Sequence, residues 1–147
     1  MNPKIPKLMP RHKRKPLTRS EMMSRIRAKD TSPETAVRSA VYALGHRFRK
    51  NVPSLPGKPD MANRTKRWAI FVHGCFWHGH DNCELASKPK TNRGYWGPKL
   101  RRNKTRDAER IVALERDGFR VLVLWECDVR AGHTEKTLKQ FFRSLAV

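Results

Sequence analysis

Acidic residues are scarce in this chain: 13 Asp and Glu stand against 33 Lys and Arg, a formal net charge of +20 over 147 residues. Such a charge repels itself unless a polyanion neutralises it. Nucleic acid is the polyanion expected first, and an anionic membrane surface second. Long hydrophobic runs are missing too. Nothing approaches the ~18 apolar residues of a membrane span, and no apolar stretch of the secretory type follows the basic N-terminus. Cysteine is rare, with three in the chain. An odd number without an export signal excludes a disulfide framework and predicts reduced thiols in a cytoplasmic protein. Aromatics make up only 8%, yet 37% of the residues are hydrophobic. That is enough for a core, which excludes a disordered basic tail as the whole protein. The length is one domain's worth.

Residues 1–17, MNPKIPKLMPRHKRKPL, hold six Lys/Arg, four Pro and no acid. They read as a flexible basic arm ahead of a single domain at 18–147. Thr18 and Glu21 suggest a capping box opening a short helix to about Ala28. Ser32-Pro33-Glu34 starts a second helix, with Ala36, Val37, Ala40, Val41 and Leu44 as its apolar stripe and Gly45 as its stop. Extended structure is expected at 46–52, 60–63 and 67–73, with Leu55–Pro59 as a turn. Residues 74–103 read as a long irregular loop, which in a small domain calls for a staple or a function. A helix over 103–117 would bury Ala108, Ile111, Val112 and Leu114. The continuous run FRVLVLW (119–125) predicts a strand covered on both faces. A final helix from Thr134 would bury Leu138, Phe141, Phe142 and Leu145. The order predicts an α/β fold, a mixed sheet flanked by helices.

The densest chemistry lies in His73-Gly74-Cys75-Phe76-Trp77-His78-Gly79-His80-Asp81-Asn82-Cys83, and a third thiol, Cys127, follows the 119–125 strand. Thiolates and imidazoles are the preferred ligands of zinc, and a structural site closes with four of them. Cys75, His80, Cys83 and Cys127 make a Cys3His set that would tie the loop to the sheet. The spacing C-x4-H-x2-C does not by itself separate this from inert thiols and surface histidines. Phe76, Trp77 and Trp96 stand among cations and suit wedging between bases, or ordinary packing around a metal. Asp60 follows Pro59 and opens a strand, as in PD-(D/E)xK nucleases. There, carboxylates hold Mg2+, which activates water and stabilises the leaving oxygen. The neighbouring strand ends Ile70-Phe71-Val72-His73, without the acid and Lys of that pattern.

Taken together, LPGKPD (55–60), FVHGCFWHGHDNC (71–83), KTN…YW (90–96), RRNKTRD (101–107) and LVLWEC (122–127) resemble the very short patch repair (Vsr) endonucleases. MSRIRAKDTSPE (23–34) fits as well, so the resemblance spans about residues 18–130. It implies a restriction-endonuclease-like, PD-(D/E)xK-related core with a structural Zn2+. The implied enzyme uses Mg2+ to nick one strand 5′ of the T in a T:G mismatch left by deamination of 5-methylcytosine. Asp60 would ligate Mg2+ by its carboxylate and Val72 by its carbonyl, a position where the family often has Thr. His78 would be the general base, a task that suits an imidazole near neutral pH. Asp107 would orient it, His73 would sit by the scissile phosphate, and Glu34 would hold metal-bound water. Phe76, Trp77 and Trp96 would wedge into the duplex, where a wobble pair is easily deformed. Expected partners are mismatched duplex DNA, mismatch-repair proteins and a repair polymerase, acted on by a monomer away from membranes. Asn82 is one residue more than the family's usual C-x4-H-x-C string, and a bulge that keeps Cys83 as ligand is expected. Two alternatives stand beside this: a zinc-stapled, non-catalytic nucleic-acid-binding module, and a related nuclease with another target. Asp60, His78 and Asp107 argue against the first, because binding alone has no use for them.

Overall fold

The computed structural model describes residues 32–86 and 93–146, apart from the side chain of Arg93. The expected arm at 1–17 and helix at 18–28 lie outside the described residues. Among the described residues, helix α1 (Ser32–Ala43) comes first. Its apolar stripe is narrower than expected: Val37 and Val41 are fully buried, Ala36 is exposed, and Glu34 and Arg38 are buried in its place. A charged pair one turn apart can be buried because each partner satisfies the other; Arg38 Nη2 donates to Glu34 Oε2 at 3.4 Å.

Four strands make one sheet in the order β1 (Arg49–Lys50), β2 (Met61–Asn63), β3 (Trp68–His73), β4 (Arg120–Trp125). The first two pairings are antiparallel, and β3–β4 is parallel, with His73 opposite Trp125. The sheet is therefore mixed, and the parallel step needs a crossover. Helix α2 (Arg93–Arg116) provides it. Alternation along β3 feeds two cores. Trp68, Ile70 and Val72 meet Val37 and Val41 of α1 and Leu138 and Phe142 of the last helix. Ala69 and Phe71 meet Leu114 and Phe119 on the α2 side. All six residues of β3 are buried, whereas β4, at the sheet edge, is only partly covered.

The 74–103 stretch is less irregular than expected, because α2 begins ten residues before Asn103. Gly94, Gly97 and Pro98 read as loop residues, and Pro98, the sixth residue of α2, forfeits the bond its N–H would have made to the Gly94 carbonyl, one turn from the helix start. The first turns are held from outside: Trp96 packs edge-on against Phe76 and Trp77, with ring centroids 5.3 and 5.9 Å apart. The inward face of α2 runs through Leu100, Ile111 and Leu114, so Val112 and Ala108, about 100° away, are exposed. Helix α3 (Glu126–Arg130) follows β4 without a break. No apolar period announces it, and an ion pair of 2.5 Å from Glu126 to Arg130 spans it. Helix α4 (Thr134–Leu145) buries Leu138 and Phe142, with Phe141 and Leu145 packed beside them, as the pattern predicts. Among the described residues, no helix is long and apolar enough to cross a membrane.

Candidate active site

Asp60 stands directly before β2, and Val72 and His73 end the neighbouring β3. Backbone pairing of these strands brings Asp60 to Val72, whose N–H donates to Asp60 Oδ2 at 2.6 Å. Five residues beyond β3's end, a tight turn reverses the chain, with His78 N–H on the Gly74 carbonyl at 3.1 Å. That turn lays the His78 ring flat on His73, centroids 3.8 Å apart and planes 5° from parallel. Helix α2 crosses above and presents Asp107. His78 Nδ1–H donates to Asp107 Oδ2 at 2.6 Å. Helix α1 contributes Glu34 from the other side. Glu34, Asp60, Val72, His73, His78 and Asp107 all line one cleft of about 940 Å3. All six residues named from the sequence for this chemistry are thus brought together.

The electrostatics divide the labour. Burial, above all, pushes the Asp60 carboxyl up to about 6, and Glu34 adds to it, against the pull of the Val72 N–H. A carboxylate so poorly solvated has room for a cation as partner. Burial likewise pushes His73 down to about 4, with His78 beside it acting in the same direction. His73 is therefore uncharged at neutral pH. Burial works against ionising Asp107 too. There the His78 hydrogen bond prevails, helped by nearby positive charge including Arg110, and the carboxyl stays below its usual range. An ionised Asp107 must accept from Nδ1–H, which fixes the tautomer that leaves the lone pair on His78 Nε2. That nitrogen can take a proton from water, as general-base chemistry requires.

A second cluster lies behind this cleft. The ligand atoms of Cys75, His80, Cys83 and Cys127 all fall within 4.8 Å of one another. Cys127 comes from α3, so the group ties the 75–83 loop to the end of β4. Three thiols and one imidazole at this separation suit a tetrahedral metal ion. Cys75 is fully buried, and burial pushes its thiol up to about 12. A cation is what would hold it as thiolate. Asn82, the extra residue, takes a left-handed backbone (φ 52). Cys83, the next residue, falls within the cluster. Trp125 separates the two sites: it stacks on His80 at 4.0 Å and meets His73 edge-on at 5.2 Å.

Phe76, Trp77 and Trp96 form a third group beside the cleft. Phe76 and Trp77 are 5.1 Å apart, and exposed Tyr95 extends the cluster from Trp96. Lys99 Nζ lies 5.4–5.6 Å from the Trp77, Tyr95 and Trp96 rings. Asn103 Nδ2 donates to the Trp77 carbonyl at 3.0 Å and fixes the turn before His78. Sequence reasoning missed Arg38 and Asn51, which brace Glu34's surroundings through a 3.3 Å bond from Arg38 to Asn51 Oδ1. Nor did it single out Lys58 and Arg110 on the cleft wall. The i, i+4 spacing of Glu34 and Arg38, and the run of cations along the chain that ends at Arg110, were the signals for these.

Known proteins resemble this chain over most of its length. The family model described as DNA mismatch endonuclease Vsr matches residues 12–85. The chain is 44% identical over 114 residues to the type II nicking enzyme V.XorIIP of Xanthomonas oryzae pv. oryzae, covering 78% of this chain and 83% of that one. It is 40% identical to the type II nicking enzyme V.NmeAIP of Neisseria meningitidis, covering 76% and 79%. To the DNA mismatch endonuclease Vsr of Escherichia coli K12 it is 42% identical over 113 residues, covering 77% and 72%. With half of its length matched by the family model and relatives of this identity aligned over most of both chains, the protein belongs to the Vsr family of DNA mismatch endonucleases.

Proposed function

We propose that this endonuclease nicks one strand of duplex DNA immediately 5′ of the T in a T:G mismatch, the lesion left when 5-methylcytosine loses its amino group. The observation that carries the reading is the 2.6 Å bond from His78 to Asp107 in the same cleft as Asp60. A binding module has no need of an oriented base facing a destabilised carboxylate. Asp60 and the Val72 carbonyl would hold Mg2+, with Glu34 near enough to engage its water. The metal, when bound, supplies charge for the transferring phosphate and its leaving oxygen. His78 takes the proton of the attacking water on Nε2, Asp107 stabilises the imidazolium, and His73 donates to the phosphate as a neutral ring. The sheet is then a restriction-endonuclease-like variant in which a histidine replaces the usual second acid and lysine. Cys75, His80, Cys83 and Cys127 would hold Zn2+ as a structural staple, with no open position for water. Phe76, Trp77 and Trp96 would wedge beside the mismatch, where unstacking a wobble pair costs less than at a matched pair. One active site suffices for one nick, so the reading has a monomer acting in the cytoplasm, residues 18–147 as one unit, and 1–17 as an added basic arm. Its product, a nicked strand, is what a repair polymerase would take up, with mismatch-repair proteins as partners.

The test is a nicking assay with Mg2+ on two end-labelled duplexes, one with T:G in a CT(A/T)GG context and one fully matched. A cut confined to the T strand, directly 5′ of the mismatched T, is expected. Cutting of both duplexes would point to another target, and tight binding without cutting would return the non-catalytic module.

A further inference from the structure

The general nuclease pattern places a lysine beside its second acid, and β3 has none. Among the described residues, the cleft still holds Lys58 and Arg110, and neither stands on a strand. Lys58 belongs to the turn before Asp60, where its N–H meets the Leu55 carbonyl at 3.1 Å. Arg110 lies one helical turn beyond Asp107 on α2. Both line the cleft with Asp60, His73 and His78. One close contact delivers both of them. At Gly57 the backbone is left-handed (φ 76), and a Cβ there would lie 3.1 Å from Arg110 Cβ and Cδ and from Phe71 Cε1. The turn and the helix can approach this far only because residue 57 has no side chain. Arg110 is thereby seated by its stem, and the residue after Gly57 is Lys58.

Their charges are open to an anion. Among the described residues, neither forms an ion pair or a side-chain hydrogen bond. Arg110 acts on Asp107 through space, but His78 already takes that carboxylate's hydrogen bond. A phosphodiester within reach of His78 must enter this cleft, where Glu34, Asp60 and Asp107 repel it. On the reading of the site given above, we propose that Lys58 and Arg110 are the phosphate-binding cations of the cleft, gripping non-bridging oxygens of the phosphate at which the strand is cut. Lys58, exposed at the rim, draws the backbone in. Arg110, half-buried and anchored, gains strength as charge builds on those oxygens in the transition state.

The test uses the full chain with Lys58→Ala, Arg110→Gln and Arg110→Lys; glutamine keeps most of the stem that packs on Gly57. Single-turnover nicking by Arg110→Gln should fall about 10²–10³-fold, with part recovered by lysine. The slope of log binding constant against log salt on a short duplex should flatten by about 0.9 for each cation removed. A duplex carrying a methylphosphonate at the cleavage phosphate lacks one gripped oxygen, so on one diastereomer Arg110→Gln should cost little more than the methylphosphonate alone. A purely structural role would give no such dependence on the diastereomer. Wild-type nicking rates in Arg110→Gln, unchanged salt slopes in both neutral variants, or fully multiplicative losses on both diastereomers would overturn the proposal. If the wild type leaves the T:G duplex uncut, the mismatch reading falls, while the salt slopes still decide the phosphate grip.

Discussion

Asp60→Asn should set the stability of this fold against its chemistry. In the folded chain the Asp60 carboxyl titrates at about 6 rather than 3.8, because burial and Glu34 disfavour the charge. The folded state therefore holds this proton more tightly than the unfolded state does. For a raised carboxyl, the favourable contribution is fully present below pH 3.8, is lost as pH rises through about 6, and stays lost above it. At 1.36 kcal/mol for each pH unit, the gap corresponds to about 3 kcal/mol. Asparagine keeps the shape and an oxygen to accept the Val72 N–H, but it never ionises. Its amide has a burial cost of its own, so a net gain of about 1–3 kcal/mol is expected at pH 8, shrinking towards zero near pH 4. Urea unfolding without added Mg2+, at several pH values, reads this directly, and the same variant should not nick. Equal stability at pH 8, or an advantage that is the same at pH 4.5 and pH 8, would refute the reasoning.

Asp107→Asn should slow nicking about 10²–10⁴-fold by releasing the wrong His78 tautomer, with DNA affinity changed less than about threefold in a gel-shift titration. Loss of binding in parallel with rate would mark Asp107 as a fold residue instead. Metal analysis should find about one zinc per chain, with Cys75, Cys83 and Cys127 resisting alkylation until a chelator is added. Thiols that react at once in the untreated protein would dismiss the Cys3His staple. At the left-handed Asn82, valine should cost about 1–3 kcal/mol and loosen the metal, whereas glycine should be nearly neutral, both read by thermal melting and zinc competition. Trp77→Ala should weaken binding to a T:G duplex by about 1–3 kcal/mol while leaving matched DNA almost unaffected; the same loss on both duplexes would exclude a wedge.

Much of the site was legible in the sequence because its residues fall in one short string. His73, Cys75, His78, His80 and Cys83 are types seldom clustered without chemistry, and the structure draws them into two groups as their identities suggest. The strands were legible where apolar runs are long, as in β3 and β4. The start of α2 was not, since Gly94, Gly97 and Pro98 argue locally for a loop, and only the contact of Trp96 with Phe76 and Trp77 reverses that. The exposure of Val112 shows the same limit: an apolar residue one position off the stripe looks identical in sequence. Lys58 and Arg110 were hidden for the opposite reason. In a chain with 33 basic residues, any two of them stay inconspicuous until a cleft singles them out.

Residues 72–83 line the cleft, the aromatic group and the Cys/His cluster in alternation, with Val72, His73 and His78 in the first, Phe76 and Trp77 in the second, and Cys75, His80 and Cys83 in the third. Such interleaving leaves the segment little freedom to vary in length. A residue gained or lost anywhere from Gly74 to Gly79 would throw two sites out of phase at once, so lineages carrying it would lose cutting and folding together. Past His80 that constraint lapses, because every cleft residue of the segment has already been placed and only Cys83 remains to be reached. Asn82 occupies that interval. The loop between His80 and Cys83 is thus the place where insertions can accumulate and be tried out without touching the cleft.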